Sequence, residues 1–255
     1  MKILFFVFLG TLGLYGQEKT IKEIFSATQE RLKNTNLYFK GARVFDQMCT
    51  HCHGRSSRGN GPWAETLTTK PRNFRLGHFK FRTTPYGRLP SDNDLRRTIR
   101  HGITGTAMPT FAKMSESDLD GVIAFIQGLS PRWKHLENYA VPIKIPEVPA
   151  WNNAPAEATD HIKTGKKQSG ISCASCHGTT GEGDGPASKG LVNAEGHPIK
   201  PASFTGENFK SCDKPSDLYR TIAMGLDGTP MIGHKDLLKS DEIWNLVAYL
   251  QKLEK

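Results

Sequence analysis

Two short motifs, each with two cysteines followed directly by a histidine, carry the most reactive side chains of this sequence. The first, CTHCHGRSSRGNGP, begins at Cys49, and the second, CASCHGTTGEGDGP, begins at Cys173. In each motif a proline follows the histidine nine residues later, at Pro62 and at Pro186. The two motifs begin 124 residues apart, and the two prolines have the same separation, which indicates that a larger unit of the chain is repeated.

A CxxCH motif admits three chemical interpretations. In the first, both thiols add to the vinyl groups of haem and the histidine binds the iron. In the second, Cys and His bind zinc, which needs four ligands in a tetrahedral arrangement. In the third, CxxC is a thioredoxin-like redox pair, which expects a βαβ context. Covalent haem is favoured because each motif has its own histidine, no βαβ pattern surrounds either one, and a chance match would not recur at a fixed offset.

A haem iron also needs a ligand on its other face. The repeat supplies Met108 in GTAMPTF and Met231 in GTPMIGH, at matching positions in glycine-rich loops. A buried methionine often only fills a core, but these two stand beside Gly and Pro rather than on an apolar helix face. His101 and Met224 form a rival matched pair, each just before the glycine that ends a predicted helix, where the helix dipole favours a histidine.

Other side chains with metal-binding chemistry have no counterpart in the other repeat. His78, His197 and His234 are interpreted as surface residues. Cys212 is the one cysteine outside the two motifs. It is interpreted as a free thiol, with an intermolecular disulfide as the alternative.

The repeat continues on both sides of these residues. PRNF at Pro71 matches PASF at Pro201, DLRRTIRHGITGTAMP matches DLYRTIAMGLDGTPMI, and LDGVIAFIQGL matches IWNLVAYLQKL. The units run roughly over residues 36–130 and 160–255. Between them, prolines at positions 131, 142, 146, 149 and 155 favour an extended, semi-rigid connector.

Apolar spacing and capping residues predict helices separated by long loops. A helix containing Gly41 and Phe45 runs into the first motif. Ser91 or Asp92 caps a helix that ends at Gly102, and the corresponding residues of the second repeat are Ser216 and Gly225. Ser115 and Asp118 form a capping box for the last helix, whose equivalent starts at Ser240. No segment alternates strictly enough to indicate a sheet, so the predicted fold is all-α.

The N-terminal residues have the layout of a secretory signal peptide. Lys2 precedes an apolar run over residues 3–15, and Gly13 and Gly16 supply the small residues near a cleavage site. The run is short for a bilayer, which needs ~20 residues, although an uncleaved anchor is the alternative. The mature chain is therefore expected to be exported to the periplasm and to have no transmembrane span.

The sequence resembles a dihaem c-type cytochrome made of two fused class I domains. The likeness rests on CTHCHG, CASCHG, the GNGP and GDGP turns and the two methionine loops, and it covers nearly everything outside the leader and the connector. With the leader and the proline-rich connector, it divides the chain into a signal peptide over residues 1–16, cytochrome c domains over 17–130 and 160–255, and a Pro-rich linker over 131–159. Buried haem also suits a chain with only 37% hydrophobic residues, which is lean for two small cores.

The resemblance implies two covalently bound haem c groups and a role for each matched residue. Thioethers form at Cys49, Cys52, Cys173 and Cys176; the proximal iron ligands are His53 and His177; the distal ligands are Met108 and Met231; and the carbonyls of Pro62 and Pro186 accept a hydrogen bond from the proximal imidazoles. The alternative for these prolines is that they only fix a turn.

The second repeat departs from the family in its packing residues. The family packs a helical glycine and an aromatic against an aromatic of the last helix, as Gly41, Phe45 and Phe125 can do. The second repeat has Gly165 but Ser169 at the aromatic position. Its N-terminal helix is therefore expected to be short or shifted.

The expected function is the transfer of single electrons between respiratory redox partners, without substrate chemistry, because two six-coordinate irons leave no open site. One alternative is a dihaem enzyme of the peroxidase or thiosulfate dehydrogenase type, which needs an exchangeable distal ligand. Another is the cytochrome subunit of a respiratory oxidoreductase complex. The stretch FKFRTTPYGRLPSDNDLRRTIRHGITGTAMPTF resembles cytochromes of such systems.

Charge is distributed unevenly along the chain. Residues 17–145 contain 21 Lys and Arg against 11 Asp and Glu, a net charge of +10, whereas residues 146–255 contain 12 against 14, a net charge of −2. Nucleic acid is not expected as a partner, since the basic residues are scattered along an exported chain. The expected partner is an acidic redox protein that docks on the N-terminal domain near Arg55 and Arg58. An ordinary solvated face is the alternative.

Overall fold

The structure, a computed structural model, describes residues 8–154, 156–205, 209–210 and 214–253, and for residues 8–16 it describes the backbone only. In this part of the chain the α-helices are α1 (Phe8–Lys33), α2 (Thr35–Met48), α3 (Thr50–His53), α4 (Asp92–His101), α5 (Glu116–Gly128), α6 (Ala158–Ser172), α7 (Ala174–His177), α8 (Pro215–Met224) and α9 (Ser240–Leu253). Short 3₁₀ turns lie at Ala64–Thr66, Phe74–Leu76, Pro131–Lys134, Leu136–Asn138, Ala150–Asn153 and Pro186–Ser188.

The predicted all-α fold is confirmed. Over the described ranges the β pairing is limited to one isolated bridge, between Val192 and Pro198. Helices α2 to α5 recur in the same order as α6 to α9, so the sequence repeat is also a structural repeat.

Most of the predicted helix ends are confirmed. Ser115 Oγ accepts a hydrogen bond from the Asp118 amide at 3.1 Å, as a capping residue does. Helix α4 ends before Gly102, whose φ of 68° is a left-handed conformation that glycine adopts readily. The prediction for Ser216 is wrong, because α8 begins one residue earlier, at Pro215. Proline suits the first helical position, since its φ is already helical and no hydrogen-bonding N–H is lost.

In each repeat the first and last helices cross at a glycine. A Cβ atom on Gly41 of α2 would lie 1.8 Å from the carbonyl oxygen of Gly121 in α5. A Cβ atom on Gly165 of α6 would lie 2.0 Å from the carbonyl oxygen of Asn245 in α9. Both distances are far below van der Waals contact, so the two backbones approach closely only because these residues lack side chains.

The second helix crossing does not need the aromatic residue that the first one has. Phe45 packs on Phe125 with ring centroids 4.9 Å apart, whereas Ser169 is simply buried. The expectation that the N-terminal helix of the second repeat is short is wrong, because α6 has 15 residues and α2 has 14.

The chain forms two compact units. Unit 1 consists of the described residues within 1–77, 88–92 and 114–142, and unit 2 of those within 78–87, 93–113 and 143–255. In unit 1 the buried apolar side chains include Phe45, Leu119 and Trp133. In unit 2 the core joins α8 and α9, with Met224, Trp244 and Val247 among its most buried members.

Two sequence predictions fall partly or wholly on residues that are not described. Residues 1–7 of the predicted signal peptide lie outside the described ranges, and residues 8–16 form the start of α1. Cys212 also lies outside them. Over the described residues, no helix combines the length and apolar character that are needed to cross a membrane.

Candidate haem-binding sites

The first CxxCH motif continues directly from α2. The Cys49 amide donates to the carbonyl of Phe45 at 2.9 Å, and the His53 amide donates to the carbonyl of Cys49 at 2.8 Å. Residues 50–53 thus form the single turn α3, which ends at Gly54 with a φ of 74°. Both cysteines and the histidine are held by one short stretch of regular backbone.

The second motif has the same construction in unit 2. The Cys173 amide donates to Ser169 at 2.9 Å, and the His177 amide donates to Cys173, also at 2.9 Å. Gly178 ends the turn α7 with a φ of 78°. Local hydrogen bonding therefore orders both motifs in the same way.

The histidine of each motif donates a hydrogen bond from Nδ1 to a backbone carbonyl. His53 Nδ1 lies 3.1 Å from the carbonyl oxygen of Arg72, and His177 Nδ1 lies 3.0 Å from that of Ala202. A carbonyl only accepts, so Nδ1 carries the proton and Nε2 keeps its lone pair for a metal. This tautomer is the one that a haem iron requires.

The prediction that the carbonyls of Pro62 and Pro186 accept these hydrogen bonds is wrong. Both prolines are exposed, and each follows a glycine whose amide donates back to the second cysteine of its motif, Gly61 to Cys52 at 3.0 Å. The carbonyl that meets the histidine lies further along the chain, in PRNF at Arg72 and in PASF at Ala202. The alternative interpretation, that these prolines fix a turn, agrees with this path.

The phenylalanine that ends PRNF or PASF packs on the imidazole of the neighbouring CxxCH motif. The rings of Phe74 and His53 have centroids 4.6 Å apart and planes 29° apart, and those of Phe204 and His177 are 4.3 Å and 19° apart. Sequence reasoning assigned no role to these phenylalanines. The signal for one was present, because the two tetrapeptides match between the repeats.

Burial sets the protonation of the motif side chains. It lowers the pKa of His53 and of His177, which keeps both imidazoles neutral and able to bind a metal. Burial, with a smaller contribution from the Cys52 thiol, raises the pKa of Cys49 to about 12. Burial also raises the pKa of Cys173. Thioredoxin-like cysteines need a lowered pKa to supply a thiolate, so these motifs do not suit a thiol redox pair.

The donor set suits haem better than zinc. Across the described residues, no three Cys, His, Asp or Glu side chains come together as a metal-binding group, whereas zinc takes four such ligands. Each motif instead presents two free thiols and one oriented imidazole. This is the set that forms two thioethers and one axial bond to iron.

The two methionine loops have matching hydrogen bonds. In the first, the Met108 amide donates to Thr106 Oγ1 at 3.1 Å, and the Met108 carbonyl accepts from Ile103 at 3.1 Å. In the second, the Met231 amide donates to Thr229 Oγ1 at 3.2 Å, and the Met231 carbonyl accepts from Leu226 at 2.9 Å. The two methionines therefore occupy equivalent positions, at the ends of equivalent loops.

The rival pair lies in different surroundings. His101 is exposed at the end of α4. Met224 is 2% exposed and belongs to the hydrophobic core of unit 2. His101 and Met224 therefore match in the sequence but lie in different environments.

His234 was missed by the sequence analysis. It was expected on the surface, but its ring is half-buried, and Nδ1 is buried without a hydrogen-bond partner among the described residues. Repulsion by His234 is a smaller cause, after burial, of the lowered pKa of His177. The His234 amide donates to Ile222 as the Phe111 amide donates to Ile99. The available signal in the sequence was that the polar His234 stands where the first repeat has the aromatic Phe111.

Both repeats match known protein families. Residues 37–126 match the family model for cytochrome c oxidase, cbb3-type, subunit III, and residues 162–254 match the cytochrome c family model. Each matched region contains one CxxCH motif and one methionine loop. The sequence has no significant match among curated proteins.

A solved structure is similar over most of the chain. It comes from Kuenenia stuttgartiensis and is described as a reducing HAO-like protein complex, Kustc0457/Kustc0458. The TM-score is 0.76 at 33% sequence identity, and the match covers 85% of this chain and 96% of the other.

Proposed function

Because the chain belongs to the dihaem c-type cytochromes built from two tandem cytochrome c domains, we propose that it is an exported, periplasmic protein that passes single electrons between respiratory redox partners. Its cytochrome c domains imply electron transfer and covalently bound haem. The observation that carries the proposal is the repeated CxxCH turn, in which each histidine is oriented through Nδ1 by a backbone carbonyl.

The proposed assignment gives each motif one haem, whose iron supplies the redox change. Cys49 and Cys52 hold the first haem through thioethers, and Cys173 and Cys176 hold the second. His53 and His177 bind the irons through Nε2, and the carbonyls that accept from Nδ1 orient the rings and raise their basicity. Met108 and Met231 are the proposed distal ligands.

Methionine ligation has two functional consequences in this proposal. It raises the reduction potential relative to a site with two histidines. Met108 and Met231 would also occupy the position on each iron that a substrate would otherwise take. Binding of carbon monoxide by the fully reduced protein would instead favour a dihaem enzyme.

The distal ligands are tested by replacing them singly. We expect the oxidised protein to show the weak near-infrared charge-transfer band of an iron–methionine sulfur bond from both haems. Met108→His should remove about half of this band, and so should Met231→His, because each removes one of two such bonds. The measurement is the near-infrared absorption of the oxidised protein.

Two matched variants probe the rivals of Met231. Met224→Leu and His234→Phe should keep the whole band, and His234→Phe introduces the side chain that the first repeat has at Phe111. Loss of half the band in Met224→Leu, with no loss in Met231→His, would show that the second ligand is Met224. If the unaltered protein shows only half of the expected band, and His234→Phe brings the band to full strength, then His234 is the distal ligand of the second haem.

Docking of an acidic partner on the N-terminal half is proposed from the charge distribution. Arg55 and Arg58 are exposed directly after the first motif, and Arg55 has 88% of its side chain accessible although it lies 3.5 Å from Asp46. Charges at such exposed sites steer association more than they set affinity. Together with the net charge of +10 over residues 17–145, they favour an acidic surface on the partner.

This docking predicts a salt-dependent rate. The bimolecular rate of electron transfer with an acidic redox protein should fall steeply between ~0.01 and ~0.1 M ionic strength, as the Debye length shrinks from about 30 to about 10 Å. Arg55→Glu with Arg58→Glu should slow the reaction in stopped-flow measurements. Lys189→Glu with Lys200→Glu, a matched pair of exposed residues after the second motif, should not. Equal effects from both pairs would contradict the proposal.

A second candidate function is that of a dedicated subunit in a redox complex. It is favoured by the similarity at 33% identity to a structure described as a reducing HAO-like protein complex. Purification from the native source separates the two functions. A free carrier elutes alone, whereas a subunit elutes with a stoichiometric second chain.

A further inference from the structure

The first repeat contains residues that the second repeat lacks, just before α4. The segment from Phe79 to Leu95 has seventeen residues, and the matching segment from Phe209 to Leu218 has ten. The longer segment of the first repeat contains Arg82 and Tyr86. The stretch 78–87 is part of unit 2, together with α8 and the loop that carries Met231.

Arg82 binds the C-terminal end of α8. Its side chain is 1% exposed, and its guanidinium donates to the carbonyl of Met224 at 3.1 Å and to that of Gly225 at 3.3 Å. The last carbonyls of a helix have no partner within the helix, and they form the negative end of its dipole. A buried cation is therefore well placed where α8 turns into the loop.

Tyr86 binds the other end of the same loop. Its hydroxyl donates to the carbonyl of Thr229 at 2.7 Å, and the Thr229 side chain accepts from the amide of Met231 at 3.2 Å. The Arg82 guanidinium lies 5.6 Å from the centroid of the Tyr86 ring, within the range of a cation–π contact. Burial raises the pKa of Tyr86, which favours the protonated form that donates.

A third contact holds the middle of the loop. His78 Nδ1 lies 3.1 Å from a carboxylate oxygen of Asp227, which is 2% exposed. Next to it, Gly228 has a φ of 76°, and a Cβ atom there would lie 3.2 Å from Cβ of His78. The stretch 78–87 thus contacts the loop over residues 224–229 at its start, middle and end.

We propose that Arg82 and Tyr86 are positioning residues for Met231, so that ligation and reduction potential of the second haem depend on residues of the first repeat. The proposal rests on the proposed role of Met231 as a distal ligand. Neither side chain needs to contact the haem. They act through the backbone of residues 224–229, which leads to Met231: Arg82 binds its start and Tyr86 binds its end.

The test uses a background in which the near-infrared band comes from the second haem alone. Met108→His provides it, and Arg82→Gln, Tyr86→Phe or Arg88→Gln is then added. Arg88 is the matched control, because it belongs to the same segment but is exposed and donates to the carbonyl of Glu137 rather than to the methionine loop. The measurements are the pH at which the band is lost and the reduction potential of each haem.

We expect Arg82→Gln and Tyr86→Phe to lower the midpoint pH for loss of the band by about one unit, a tenfold easier replacement of Met231. They should also lower the potential of the second haem and leave that of the first unchanged, which general destabilisation would not do. Arg88→Gln should change neither quantity. Tyr86→Phe removes only one oxygen from a partly exposed ring, so it serves even where Arg82→Gln fails to fold.

The outcomes separate the two proposals. If Met231→Ala in the same background leaves the band in place, Met231 is not the ligand, and the positioning role is lost with it. If Met231→Ala removes the band while Arg82→Gln and Tyr86→Phe behave like Arg88→Gln, the positioning role is wrong and the ligand assignment stands.

Discussion

The variant with Cys173→Ala and Cys176→Ala is expected to carry one covalently bound haem, where the unaltered chain carries two. Without thiols at these positions no thioether can form, and the axial bond from His177 alone does not survive acid–acetone extraction. Intact mass spectrometry after extraction measures the result directly. The unaltered protein should exceed the mass of its polypeptide by two haem groups, and the variant by one.

Matched variants make this result specific. Cys49→Ala with Cys52→Ala should also leave one haem, held by the other motif, whereas Cys212→Ala should leave two. The same spectra give the mass of the processed polypeptide, which should begin at Gln17 if the leader is cleaved after Gly16. An unaltered protein with one haem, or with none, would overturn the assignment of two haem sites.

The sequence was most informative where the structure depends on neighbouring residues. The turn from Cys49 to His53 is closed by hydrogen bonds within five residues, and the capping of α5 by Ser115 involves a residue three positions away. Such patterns are visible in a single sequence because the interacting groups are adjacent in it. Repetition strengthened each of them, since the same pattern appears twice.

Apart from the start of α8, the wrong predictions concern contacts between residues that are far apart in the sequence. Which carbonyl meets the His53 ring depends on the path of the loop through residue 72, which the proline nine residues after the histidine does not determine. Helix α6 has 15 residues without an aromatic at position 169, and it crosses α9 closely at Gly165. Both features depend on tertiary packing, which the local propensities of the residues do not predict.

The contacts of Arg82 belong to the same class. Nothing near position 82 in the sequence identifies the carbonyls of Met224 and Gly225, more than 140 residues away, as its acceptors. The extra length of the first repeat was visible, but its role required the fold. Differences between otherwise equal repeats are therefore the places where the structure adds most to the candidate sites.

The crossing of α6 and α9 predicts opposite effects for the same substitution at two glycines of one helix. Gly165→Ala places a methyl group 2.0 Å from the carbonyl oxygen of Asn245 and 3.0 Å from Cβ of Tyr249. Neither group lies at the end of a flexible side chain, so the helices must move apart. Overpacking of this kind costs ~1–3 kcal/mol or more. Gly165→Ala should therefore lower the midpoint of guanidinium denaturation.

Gly170→Ala is the matched control, because it makes the same change five residues later in α6. A Cβ atom at Gly170 would meet nothing within 4 Å, and alanine is more favourable than glycine in a helix by about 0.5–1 kcal/mol. This variant should raise the midpoint slightly. Far-UV circular dichroism of the haem-loaded protein measures both midpoints, and comparing midpoints avoids assuming that a chain of two domains unfolds in one step. A Gly165→Ala midpoint equal to that of Gly170→Ala would mean that the two helices do not cross as closely as their backbones indicate.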